Sequence, residues 1–167
     1  MATTYEAIAT VTLSSSAANI EFTSIPATYT DLVLKFSARS ARVANTDDIV
    51  ILVNTTGGTS RYLWGTGSAA QSGTDTQPLI GEYPTANSTA STFSNGEIYF
   101  PNYGSTTTYK SWSSDAVSEN NATLAYAALA AGLYSSNTAI SSLRLQTGSA
   151  SNLVQHSTAT LYGIKNS

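Results

Sequence analysis

The chain lacks most of what acid–base and metal chemistry draw on. Its 167 residues include no cysteine, one histidine (His156) and one methionine (Met1), and only 10% are charged. Soluble domains ordinarily carry roughly 25% charged residues. The absence of cysteine excludes thiolate zinc sites, thiol nucleophiles and disulfide frameworks. The seven Lys and Arg residues are scattered singly, so there is no basic patch to neutralise phosphates and nucleic acid is not an expected partner. No apolar run approaches the roughly 18 residues that a membrane crossing needs, and no membrane partner is expected. The opening Met1-Ala-Thr-Thr-Tyr5 has neither the basic nor the apolar region of a signal peptide. Synthesis in a cytoplasm without a leader is the expectation.

What the chain does have is hydroxyl. Ser and Thr fill about three positions in every ten. The hydrophobic fraction of 41% is enough for a core, and the net charge of −3 is mild. A chain of this length buries about two thirds of its unfolded surface and needs no staple. No metal or other cofactor is expected.

Period-two alternation dominates. Tyr5, Ala7, Ala9, Val11 and Leu13 fall on one face of a first strand. Leu32, Leu34, Phe36 and Ala38 share a face opposite Lys35 and Ser37. Ile49 to Val53 is a continuous β-branched run, followed by a polar turn over 54–58 and a returning hairpin strand from Ser60 to Trp64. Residues 65–77 and 85–94 read as long polar loops. Lys110, Trp112, Ser114 and Ala116 alternate with Ser111, Ser113 and Asp115. The alanine-rich segment 124–134 is ambiguous between helix and strand. Gly132, Tyr126, Tyr134 and the lack of a charged face favour a buried strand. His156 falls mid-strand in an alternation running from Leu153 to Ile164. The pattern predicts an all-β, single-domain β-sandwich over 1–167, most simply a jelly roll, of eight to ten short antiparallel strands. The two terminal strands are expected to lie near each other, with residues 2–8 as an extended arm.

Catalytic constellations are thin. His156 is the only candidate general base of its kind, and no G-x-S-x-G elbow occurs. Ten acids could supply a glycosidase pair. Asp47-Asp48, adjacent before a strand, could be half a calcium site, but without EF-hand spacing. No enzyme activity is expected. The ten tyrosines and two tryptophans stand out in a chain so poor in charge. Tyr99, Tyr103, Tyr109 and Trp112 cluster around the turn at Pro101. They are the candidate interface or glycan contacts, set against core packing as the plain alternative.

Several blocks carry a resemblance: 5–9 (YEAIA), 25–40 (IPATYTDLVLKFSARS), 92–103 (TFSNGEIYFPNY), 110–123 (KSWSSDAVSENNAT) and 154–167 (VQHSTATLYGIKNS), with LYGIK at 161–165 the most distinctive. Together they span somewhat over a third of the chain, and they resemble small virion structural proteins of tailed bacteriophages, of the cyanophage and marine phage type. The resemblance implies a virion component and carries over no functional residues. With the composition, it leads to a capsid decoration (cement) protein on the outer surface of the particle. Its partner would be the major capsid protein, and it would self-associate as a homotrimer. The alternatives are a tail or baseplate appendage that contacts tail proteins and binds host glycan, and, remotely, a carbohydrate-active enzyme.

Overall fold

The computed structural model describes residues 4–56, 58–66, 69–75, 77–119 and 125–165. Among them are twelve strands and no helix: β1 (Tyr5–Thr12), β2 (Asn19–Phe22), β3 (Asp31–Ala38), β4 (Asp47–Val53), β5 (Thr59–Thr66), β6 (Ala69–Asp75), β7 (Leu79–Tyr83), β8 (Ser94–Phe100), β9 (Lys110–Glu119), β10 (Ala125–Tyr134), β11 (Leu143–Thr147) and β12 (Thr158–Ile164). They form two antiparallel sheets. One has eight strands in the order β1-β12-β3-β8-β9-β10-β5-β6, and the other four in the order β2-β11-β4-β7. The expected all-β sandwich is present, with twelve strands instead of eight to ten, and 125–134 is a strand.

The pairings nest. β1 pairs with β12, β2 with β11, β3 with β8 and β4 with β7. With β5, β6, β9 and β10 left out, each of the first four strands meets its counterpart counted back from the end. The remaining four strands are two hairpin arms, β5–β6 and β9–β10, which widen the larger sheet.

The alternation of the sequence becomes the partition between core and surface. β9 is strictly alternating, with Lys110, Trp112, Ser114, Ala116 and Ser118 buried and the residues between them exposed. Ile20, Phe22, Leu34, Phe36, Ile49, Ile51, Ile98, Phe100, Leu145 and Leu161 fill the space between the sheets. Each such side chain contributes roughly 1.5–3 kcal/mol of burial. Gly132 of β10 is there because Trp112 of β9 lies across it: a Cβ would stand 1.8 Å from the indole ring. Lys110 turns inward as well. Its ammonium donates to the carbonyls of Ser136 and Thr138 at 3.2 and 2.9 Å, and burial lowers its pKa.

Several expectations need correction. β5 does not return beside β4. It crosses to the larger sheet and pairs with β10 and β6. The stretch 65–77 is not a plain loop, since 69–75 form the edge strand β6. Its residues lack an apolar alternation because an edge strand is held by its backbone bonds to β5. The N-terminal arm is paired from Tyr5 onward to β12, with a bulge at Ile8 that shifts the alternation. Ile8, Val11 and Leu13 therefore pack on the core while Tyr5 and Ala7 are exposed. Residues 2 and 3 lie outside the described residues. His156 is not mid-strand. It is an exposed turn residue with φ of 72° just before β12.

The connection over 84–93 has no strand, yet it is anchored. The buried Arg39 guanidinium donates to the carbonyls of Thr85, Ser88, Thr89 and Thr92 at 2.6–3.1 Å. Four carbonyls around one cation replace the water that both sides lost on burial.

Candidate functional site

The four aromatics that cluster in sequence separate in space. Tyr103 is fully buried and its hydroxyl donates to the Pro26 carbonyl. Trp112 is buried between Gly132 and Phe100. Neither can meet a partner, because a turn and an inward-facing strand position put both in the core. Tyr99 is half-buried on the outer face of β8, where its hydroxyl donates to Asp31 at 2.9 Å. That bond to a carboxylate raises the phenol's pKa. Tyr109, 60% exposed before β9, is the one that stands free in solvent.

The outer face of the larger sheet is where the two ends of the molecule differ. On β3, Val33 points outward, directly opposite Tyr162 on one side and Tyr99 on the other. These neighbours leave it 1% exposed, and Tyr5 extends the roof by an edge contact with Tyr162. On β10 no such roof exists. Ala125, Ala127, Leu129, Ala131 and Leu133 all point outward and all are exposed. Leu129 is 60% exposed and its cross-strand partner Leu63 is 50% exposed, with Val117 of β9 beside them. The segment was expected to be buried from its apolar composition on both faces. The fold covers only one of them. Arg61 and Asp115 flank the row, opposite Ala131 and Leu129.

A second feature sits on the inner side. The smaller sheet ends at β7, and β10 and β5 of the larger sheet lie against it. A cavity of about 100 Å³ opens there, lined by Asp48, Trp64, Leu79, Gly81, Glu82, Tyr126 and Ala128. The Trp64 and Tyr126 rings stand 6.0 Å apart at 37°. Gly81 has a φ of 154°, and a Cβ there would come within 2.7 Å of Ala116, so the strand passes close to β9 only as glycine. Asp48 and Glu82 are directly opposite across β4 and β7. The two carboxyls act on each other's titration, and the Thr46 hydroxyl favours the charged form of both Glu82 and Tyr126. Burial, then the Asp48 charge, pushes Glu82 up to about 7. Burial, then the Asp47 charge, raises Asp48 too. Glu82 therefore holds its proton below about pH 7.

Asp47, the other member of the expected cation site, is the first residue of β4 and is committed inside the protein. It accepts from the Ser40 and Ser149 hydroxyls at 2.6 and 2.7 Å, with Arg42 at 3.6 Å. Among the described residues no group of three or more His, Asp or Glu is placed to hold a metal ion. Sequence reasoning missed Glu82 and Trp64 as neighbours. The available signal was an acid set within the otherwise buried strand 79–83. No family model, no curated protein and no solved structure matches this chain.

Proposed function

We propose that this protein is a non-catalytic structural component of a bacteriophage virion, a jelly-roll decoration protein that clamps the outer shell of the head. One observation carries the reading: β10 has a core-type sequence on both faces and the fold covers only the inner one. An apolar row with Leu129 and Leu63 half or more exposed costs solubility unless a partner covers it. The partner we propose is a neutral, apolar face of the major capsid protein, met by burial of these leucines and by hydrogen bonds from the surrounding serines. The nested strand pairings support the jelly roll. With the two hairpin arms set aside, the eight remaining strands lie as β1-β12-β3-β8 and β2-β11-β4-β7, the order that results when one long antiparallel ribbon is rolled into two sheets. The resemblance to tailed-phage virion proteins points the same way.

In this proposal the free protein is a homotrimer. Sedimentation at micromolar concentration should give three times the chain mass of 17.4 kDa. Quantitative mass spectrometry of purified particles tests the location. Hundreds of copies per particle fit the head. A few dozen or fewer would favour the alternative, a tail or baseplate appendage.

A further inference from the structure

We propose that the cavity between β7 and the β5–β10 pair is a guanidinium pocket, shaped to take an arginine side chain of another polypeptide. The inference is independent of the outer-face reading, since the cavity lies on the inner side of β10, and either can fail alone. Four observations lead to it. The cavity of about 100 Å³ has room for one side-chain head. Two carboxyls face each other in it, and neither forms an ion pair among the described residues. Arg42, whose charge acts on Asp48, is spent on Asp47 and on the Thr46 carbonyl. Glu82 Oε2 is closed off from solvent and accepts no hydrogen bond.

The missing partner is therefore a donor that carries positive charge. The aromatic pair narrows the choice. A guanidinium is planar and weakly hydrated, so it can stack on Trp64 or Tyr126 while its fork reaches the carboxylates. An ammonium uses only the charge. A neutral sugar could stack but would leave the acid pair uncompensated. Binding would exchange the proton held by Glu82 for the cation, leaving two carboxylates under one guanidinium, and the proton goes to solvent. The other charged groups that act on the pair are Asp47 of β4, Asp75 at the end of β6 and Arg42, with the Tyr126 hydroxyl close to Glu82. The acids outnumber the base, which favours the cation further.

The test uses the whole chain and three probes: N-acetyl-arginine amide, its neutral isostere N-acetyl-citrulline amide, and maltose. Calorimetry and tryptophan fluorescence are read at pH 8 and pH 5.5. We expect saturable millimolar binding of the arginine probe at pH 8 and at least roughly tenfold weaker binding of citrulline. Affinity should fall roughly 30-fold at pH 5.5, because Glu82 with a pKa of about 7 then holds its proton. Glu82→Gln should bind about tenfold more weakly at pH 8 and lose the pH dependence. The citrulline comparison on the wild type needs no variant to fold. Equal binding of arginine and citrulline, tighter binding at pH 5.5, saturation by maltose alone, or no saturation by about 50 mM arginine probe would each overturn the assignment. If Glu82→Gln also lowers the sedimentation coefficient of the free protein, the arginine comes from a second copy. If it does not, another chain supplies it.

Discussion

Stability should fall as the solution is made more alkaline between pH 4.5 and 7, and Glu82 is the reason. In the unfolded chain its carboxyl titrates near 4.5, while in the folded protein burial and Asp48 push it up to about 7. Across that window the native state holds a proton that the unfolded state has released, so the slope of unfolding free energy with pH is negative. The contribution is fully present below pH 4.5 and is lost as pH rises to about 7, above which it is flat. A gap of this size corresponds to about 3 kcal/mol at most. In a chain of this length that amounts to roughly 8 °C in melting temperature. Asp48 shifts in the same direction, so the two acids together set the slope. The perturbation is Glu82→Gln, whose amide can donate to Asp48 at any pH. Urea unfolding in steps from pH 4.5 to 8.5 is the assay. The variant should match the wild type at the acid end and exceed it by about 2–3 kcal/mol at pH 8. Curves that stay parallel, or a wild type that gains stability with pH relative to the variant, would refute the raised titration of Glu82.

Other parts of the fold give their own expectations. Gly132→Ala sets a methyl inside the Trp112 ring, and urea unfolding should show a loss of ~3 kcal/mol with a red-shifted Trp112 emission. Arg39→Met strands the carbonyls of Thr85, Ser88, Thr89 and Thr92. It should cost about 3 kcal/mol and open 84–93 to limited proteolysis well before global unfolding. If attachment runs through the apolar β10 face as proposed, raising salt to about 1 M, where the Debye length is roughly 3 Å, should leave particle-bound protein in place. Release by salt would shift the weight of attachment to charged residues.

The sequence made the strands legible wherever side chains alternate against a core, as in β3, β9 and β12. It was silent where the backbone alone does the holding. β6 reads as loop because Ala69, Ala70, Ser72 and Gly73 have no hydrophobic rhythm, and its bonds to β5 are not written in side chains. The β4–β5 crossing was misread because a polar turn over 54–58 serves a hairpin and a change of sheet equally well. Asn54, with φ of 48°, instead ties that turn to the segment after β10. Its side-chain amide donates to the Ala139 carbonyl at 2.8 Å, and its carbonyl oxygen accepts from the Ser141 and Ser142 amides. The aromatic cluster separates for a local reason: Trp112 takes an inward position in the alternation of β9 and Tyr103 turns into the core after β8, while Tyr99 stays half-buried and Tyr109 exposed. The cavity could not be read ahead because it draws on β4, β5, β7 and β10, which only the pairing brings together.

In the proposed function the uncovered face of β10 attaches this protein to a particle. The direct measurement is rebinding of purified protein to particles stripped of it, wild type against the double substitution Leu63→Asp and Leu129→Asp. Both side chains point outward and are half or more exposed, so the variant should melt within about 2 °C of the wild type. It should then fail to rebind at concentrations where the wild type saturates. A variant that folds and rebinds with unchanged affinity would contradict the account.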